Sequence, residues 1–586
     1  MHLMSNYKIL HLFLKYLQPY RFKIFIVLIS LIMVSGSLLY VGSAIKLLID
    51  HNCSCVNIII AQISITIVIF SIFSFLRSFT INSISENLIL DIRSDLFKHL
   101  LKLRISTFAK LKVTDINNRL LSNINNIGEL INNLFSFILR NSIMFLGSLM
   151  LMFAQSNKFT YLVIIMFITI ALPMIKIGHY IRTLAHITQF ELLKIHSKID
   201  ESFNNIKLIY AFNQQSHQVD TLNTIQREYF VEFKRKIKLR SMFFALTMAL
   251  VISAVTFIIW LGSNDIAVGV MSSGDLTSFL YYAIVAVASL GGIIESFAKF
   301  PGYFMAAEKV FSLFEIDSVE SNLSTNELHN GVIKFNNVSF SYPSRPNIAI
   351  LSNCSLSIAP GQFVGIVGKS GAGKSTILQL LIKFYDPTTG TIQINNVDIS
   401  SVHLPQLRKN FSYIPQETYI FSDTIKNNIL FSNQHASSED IAYAIQVALL
   451  DEFLTKMPDG LNSFIGEKGN MLSGGQKQRL AIARGLITKA PVMLLDEATN
   501  AIDSKTEKII LNNLRSISPQ KTIIVVTHRI SAIEQADNII VLDNGKVNAQ
   551  GNHAELMKHC QIYKELIRRR TNSSNCKIIA VNKLIE

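Results

Sequence analysis

Six stretches of this chain are apolar for long enough to cross a lipid bilayer. No other feature narrows the fold as much, because backbone N–H and C=O groups in hydrocarbon must be satisfied internally and an uninterrupted apolar run does so as a helix. The stretches lie at about 24–45, 56–76, 134–153, 161–181, 242–261 and 276–297. Hydrophobic residues make up 49% of the 586 and charged residues only 16%, which excludes an ordinary soluble enzyme of this size. A net charge of +15 would suit nucleic acid, but Lys and Arg are spread along loops beside the apolar runs and form no long basic tract. No nucleic-acid partner is expected.

The loops orient the spans. Lys8, Lys15, Arg21 and Lys23 precede the first, Arg93 to Arg119 lie between the second and third, and Arg182 to Arg240 lie between the fourth and fifth, whereas the alternate loops hold one Lys and no Arg. Positive residues mark the cytoplasmic face, so both termini are expected inside a multi-pass protein of the cell inner (cytoplasmic) membrane. The first apolar run is too long for a cleaved signal and lacks a small-residue cleavage site, so it is expected to remain as a span. Residues 1–19 carry an amphipathic pattern suited to an interfacial helix ending at Pro19.

The segments 80–130 and 182–241 contain no proline, and Leu88, Ile92, Leu96 and Leu100 recur at helical spacing. The spans are therefore expected to continue into the cytosol and return as antiparallel arms, with tips near Lys112 to Asn118 and Asn205 to Asn213 placed to dock a cytosolic domain. This gives a membrane domain over 20–310, a polar linker over 311–331, a second domain over 332–568 and a tail over 569–586. Five cysteines make no disulfide framework, and the Cys53-x-Cys55 pair has no His or further Cys to complete a metal site. Within or at the ends of spans stand Arg77, Arg140, Lys176 and Glu295. Charge at that depth either serves a cargo or snorkels to the interface.

The second domain is built around a phosphate cradle. The apolar strand Val364 to Val367 runs into Gly368-Lys369-Ser370-Gly371-Ala372-Gly373-Lys374-Ser375-Thr376 and then a helix, expected over Ser375 to Phe384. The glycines let successive N–H groups turn inward, the helix adds its positive end, Lys374 reaches the β- and γ-phosphates and Ser375 offers a hydroxyl to Mg²⁺. Pro491 to Leu495 reads as a buried parallel strand delivering Asp496 to the metal and Glu497 to the attacking water. Ile523 to Thr527 delivers His528 to the same sheet edge. Leu472-Ser473-Gly474-Gly475-Gln476 opens another helix, with Ser473 as cap and a second anion site.

These motifs identify a resemblance. Residues 332–568 resemble the ATPase domain of an ATP-binding-cassette (ABC) transporter, and residues 20–310 resemble the six-helix membrane domain of the exporter type. The implied fold is multidomain: an all-α six-helix transmembrane domain followed by an α/β P-loop ATPase domain that uses ATP and Mg²⁺. The resemblance implies further roles. Tyr342 would stack on adenine, Gln416 would contact Mg²⁺ and sense the membrane domain, and Gly466 to Gly469 would be an exporter-specific loop touching the arms. Asn500 departs from the Ser usual in the family's Ser-Ala-Leu-Asp loop. In the family, the signature of one ATPase domain closes over nucleotide bound to another; this chain has one cradle and one signature, so a homodimer is expected, with a heterodimer as the alternative. The implied activity is ATP hydrolysis driving export of an amphipathic or lipid-like small molecule, as in lipid A and multidrug exporters, with membrane lipid as a partner. An importer on the same fold, or an ATP-gated channel or regulatory subunit, is the alternative.

Overall fold

A computed structural model describes residues 6–50, 56–316, 331–517, 520–529 and 533–568, leaving some side chains, 170–186 among them, outside that description. Cys53, Cys55, Cys576, the tail, most of the linker and the side chains of Lys176 and Arg182 therefore lie outside it. The chain divides into two compact units, one of Met1–Leu101 with Val113–Ile316 and one of Lys102–Lys112 with Asp317–Glu586.

The first unit is all helix. After α1 (Asn6–Leu17) come α2 (Arg21–Asp50) and α3 (Val56–Leu101). Past the short α4 (Ile105–Phe108), which falls in the second unit, follow α5 (Val113–Gln155), α6 (Asn157–Asn204), α7 (Ile206–Ala211), α8 (Gln215–Ala267) and α9 (Ser273–Phe314). Each expected span falls on one of these helices. Five are long and apolar enough to cross a membrane, and the described apolar part of α6, Asn157–Thr169, is shorter. The most apolar window of α3 is only 6% buried within the chain, so that surface needs lipid or another apolar partner around it.

Packing inside this unit follows the helical period. Ile81, Ile84, Leu88, Ile92 and Leu96 form one buried stripe along α3. Met152, Phe159, Ile258, Leu276, Phe279 and Tyr282 form a cluster toward the other end. Gly42 is required there, since a Cβ would lie 2.6 Å from the Tyr282 ring. Ser272 caps α9 in a capping box with Asp275, and Asp50 of α2 accepts from Gly274 N at 3.0 Å and from Ser272 Oγ at 2.9 Å at that same helix start. Two π turns, Arg119–Asn123 and Asn133–Leu139, widen α5 and were not legible in the hydrophobic period.

The arms differ from expectation at one tip. Asp115 pairs with Arg119 at 2.7 Å and Ile116 is buried, so 113–118 already belongs to the returning helix; the turn is made earlier, by Lys102–Lys112. Polar composition near residue 115 signalled an exposed helix face and not a turn. The other tip, around α7, belongs to the first unit and exposes Leu208, Tyr210 and Phe212. Helix α9 continues through Phe314 and so takes the first residues of the expected linker.

The second unit is α/β. An antiparallel sheet has the order β2 (Leu351–Ile358), β1 (Ile333–Phe340), β4 (Thr389–Ile394), β5 (Val397–Asp398). A second sheet has the order β10 (Lys546–Gly551), β9 (Asn538–Asp543), β3 (Phe363–Gly368), β8 (Thr522–Val526), β7 (Val492–Asp496), β6 (Phe411–Ile414). From β9 to β6 all pairs are parallel. Strands β3, β7 and β8 are buried at every residue, as covered parallel strands must be. Within this unit Arg104, at the start of α4, pairs with Asp386 at 3.1 Å.

Candidate functional site

Register brings the chemistry together. Strands β3, β8 and β7 are neighbours and end at one edge, where β3 leaves into the glycine-rich turn, β7 ends at Asp496 and β8 precedes His528. Ligands bind outside the carboxyl ends of such strands. In the turn, Gly371 (φ +80°) and Gly373 (φ +96°) take left-handed backbone, and a Cβ on Gly373 would meet Leu351 Cδ2 at 2.7 Å and Ile350 O at 3.1 Å. Helix Lys374–Leu381 follows; it stops short of Phe384 because Lys383 turns left-handed at φ +53°.

Lys374 is 6% exposed, and its Nζ donates to Gly368 O at 3.1 Å and Lys369 O at 2.9 Å. Burial holds its pKa below the usual lysine range, opposed by the charges of Glu497 and Asp496. Ser375 Oγ donates to Asp496 Oδ1 at 2.7 Å and Tyr413 OH to Asp496 Oδ2 at 3.3 Å. Burial raises the pKa of Asp496 above the usual carboxylate range, and these two donors oppose that shift.

Glu497, 7% exposed, sits at φ +49°, a strained conformation for a non-glycine residue. Its carboxylate is gripped from three sides: Gln416 Nε2 donates at 2.9 Å, Asn500 Nδ2 donates at 2.7 Å, and His528 Nε2 meets Oε1. Asn500 thus has a structural role that the sequence left open. Tyr413 was missed altogether, although it stands three residues before Gln416 at the end of β6.

Tyr342 is half-buried, its ring edge-on to Phe340 and Tyr385, its hydroxyl 3.0 Å from Thr376 Oγ1 and donating to Gln379 Oε1 at 3.0 Å. It therefore belongs to the cradle helix's surroundings. The signature is built as a helix start: Ser473 caps Gly474–Leu486 in a capping box with Gln476 and is exposed. The hydrogen bonds of Ser473 stay within that turn. One turn on, Gln478 Oε1 accepts from Ala501 N at 2.8 Å, tying the signature helix to the loop that carries Asn500. A cleft of about 1130 Å³ opens from Ser375 and Asp496 past Gln416 toward Arg484.

In the first unit, Arg77 Nη1 donates to Ser136 O at 3.4 Å inside the second π turn, and its buried Nε has no partner among the described residues. Arg140 donates to Asn141 Oδ1 at 3.2 Å and lies over the Phe137 ring. Glu295 pairs with Lys299 at 3.0 Å on an exposed helix face. The free thiols Cys354 and Cys560 are buried.

Residues 351–500 match the family model described as ABC transporter, and residues 16–290 match that of the ABC transporter transmembrane region. A Rickettsia prowazekii (strain Madrid E) protein named as an export ATP-binding/permease protein is 43% identical over 96% of this chain and 99% of its own length. An ATP-dependent lipid A-core flippase of Aliivibrio fischeri is 29% identical over 84% of this chain and 85% of its own. The structure of a bacterial Atm1-family ABC exporter with ATP bound is similar in fold, with TM-score 0.81 and 24% identity, covering 94% of this chain and 98% of that one.

Proposed function

Since this chain belongs to the ABC transporter family and carries the membrane region and the ATP-binding region in one polypeptide, we propose that two copies export an amphipathic or lipid-like cargo across the inner membrane. ATP-dependent export and ATP hydrolysis coupled to it come with the family. The observation that carries the finer reading is the single sheet edge that gathers Lys374, Ser375, Asp496 and Glu497 in a chain whose other unit is made of membrane-length apolar helices.

The residues suit the nucleotide. Gly371 and Gly373 shape a turn in left-handed backbone that residues with side chains rarely adopt, and Lys374 already points its donors at carbonyls of that turn, where phosphate oxygens would replace them. Ser375 hydroxyl, Asp496 carboxylate and Gln416 amide oxygen are hard donors of the kind Mg²⁺ takes while keeping several waters. When bound, that ion offsets charge on the β- and γ-phosphates. Glu497 orients the attacking water and accepts its proton, while Gln416 and Asn500 fix the carboxylate. Tyr342 stacks on the adenine ring, and His528 turns from Glu497 to the γ-phosphate. Ser473, exposed at its helix start, meets the γ-phosphate held by the other copy, which makes the assembly a symmetric pair.

The amphipathic cargo rests on the spans. Their exposed faces are Ile- and Phe-rich, and Arg77 and Arg140, half-buried and donating to Ser136 O and Asn141 Oδ1, have no carboxylate partner among the described residues. Both termini are inside by the distribution of Lys and Arg. The test is ATP-driven movement of fluorescent amphipaths in vesicles with the ATPase unit outward, alongside ATPase stimulation by a panel of lipids and drugs in nanodiscs. Uptake into those vesicles, with stimulation by lipid-like members, is expected. Uptake of polar solutes alone, or movement in the opposite direction, refutes the reading.

A further inference from the structure

From His11 on, where its side chains are described, helix α1 packs on the protein by one face. Phe13 and Leu17 are buried, the Tyr16 ring stacks on Phe311 at 6.4 Å, and the hydroxyls of Tyr16 and Tyr20 donate to Asp95 at 3.3 Å and Asp91 at 2.6 Å on α3. Beside it, α1, the first turn of α2 and Phe135 of α5 border an open groove of about 730 Å³. Its floor is apolar, made by Leu14, Leu17, Ile24 and Phe135, while His11, Lys15 and Arg21 stand along its rim and no acidic residue lines it. His11 and Lys15 stand one helical turn apart on α1 and Arg21 opens α2; all three are exposed, as is Leu14 at 54%.

Position completes the pattern. The apolar run of the first span begins at Ile24, so His11 to Arg21 lie where hydrocarbon gives way to headgroups. An apolar floor continuous with the hydrocarbon, and a rim holding Lys15 and Arg21 with no acidic residue among the lining, match a molecule with a fatty chain and a negatively charged head. From these we propose that the groove holds an anionic phospholipid: one acyl chain lies against Leu14, Leu17, Ile24 and Phe135, and the phosphodiester is clamped by Lys15 and Arg21, with His11 beside them. Tyr16 and Tyr20 hold the helix that forms one wall, so the lipid occupies a preformed seat between protein elements. The inference rests on the chain being embedded in a bilayer and is independent of what the cargo is.

The test uses the full-length protein in nanodiscs. Trp260, the single tryptophan, is replaced by Trp260→Phe, and Phe135→Trp places an indole in the groove floor. Tail-brominated phosphatidylglycerol and tail-brominated phosphatidylcholine are then compared at the same low mole fraction as quenchers. Stronger quenching by the anionic lipid is expected, with Lys15→Gln and Arg21→Gln each reducing the preference roughly fivefold. Lys207→Gln, which removes an exposed cation on α7, leaves it unchanged. Equal quenching by the two lipids overturns the proposal. So does a preference that survives Lys15→Gln with Arg21→Gln, or one that Lys207→Gln reduces as much, since either result reports general enrichment of anionic lipid near a basic protein. Native mass spectrometry of the chain with its own Phe135 and Trp260 gives the second measurement. Retained phosphatidylglycerol should be lost in the Lys15→Gln, Arg21→Gln double variant, and its equal retention there refutes the site.

Discussion

Replacing Asn500 should slow ATP turnover without weakening ATP binding. Its Nδ2 donates to Glu497 Oε2 at 2.7 Å, and its backbone N donates to Glu497 O at 3.2 Å, so side chain and main chain together close the turn that holds Glu497 at φ +49°. A carboxylate offers about four lone-pair positions; Gln416 and Asn500 both donate to Oε2, which leaves Oε1, vacated when His528 turns to the γ-phosphate, for the proton of a water. A hydrogen bond to a charged group contributes about 1.5–3 kcal/mol. If that orientation is needed in the transition state, Asn500→Ala lowers kcat by about ten- to a hundredfold and leaves KM for ATP close to its original value. Asn500→Asp separates positioning from simple loosening of the turn: it keeps the side chain's size but replaces the Nδ2 donor with an oxygen that cannot donate to Glu497 Oε2, so it should lower kcat as Asn500→Ala does. Steady-state ATPase in nanodiscs, with a fluorescent nucleotide for binding, reads both effects. Wild-type kcat in both Asn500→Ala and Asn500→Asp would refute the reasoning.

Glu497→Gln should keep ATP binding and lose turnover by a factor on the order of 10² or more, while Lys374→Ala weakens binding itself; equal binding by both variants would undo that division of roles. Co-expression of a Lys374→Ala chain with a Ser473→Arg chain should restore partial ATPase activity, because a mixed pair puts both lesions in one composite site and neither in the other; robust activity from isolated single copies would rule the paired site out. Burial pushes the Cys354 thiol up to about 11, so it stays protonated at neutral pH and resists maleimide on either side of the membrane until the unit unfolds. Orientation is better read from Glu439→Cys, at an exposed position of the ATP-binding unit: protection in sealed cells and labelling after permeabilisation are expected, and labelling in sealed cells contradicts a cytoplasmic terminus.

Much of the site was legible because its constraints are local. The turn from Gly368 to Ser375 needs its glycines wherever it occurs, and an apolar run ending in Asp496-Glu497 announces a buried strand that delivers its acids to the ligand edge. What escaped depends on pairings between distant segments or on backbone angles. Tyr413 reaches Asp496 only because β6 pairs with β7 across 83 residues of sequence. Asn500 meets Glu497 through a left-handed residue that no propensity favours. In the membrane unit, hydrophobic period located the helices, but the π turns of α5 leave no mark in it, and the polar stretch around Asp115 had the composition of a turn while forming a helix.

The division of the chain at Lys102–Lys112 bears on how this protein can be taken apart. The polypeptide passes from one unit to the other at 101/102, 112/113 and 316/317, so the two are not beads joined by one thread. A fragment starting at Asp317 leaves behind a piece of its own unit, including the Arg104 that pairs with Asp386. Exchanging ATP-binding halves between relatives at a single junction would leave each recipient with a mismatched eleven-residue insert, Lys102–Lys112. Recombination that respects the fold has to move that insert with the carboxyl-terminal half, and the two segments are expected to change together when such chains diverge.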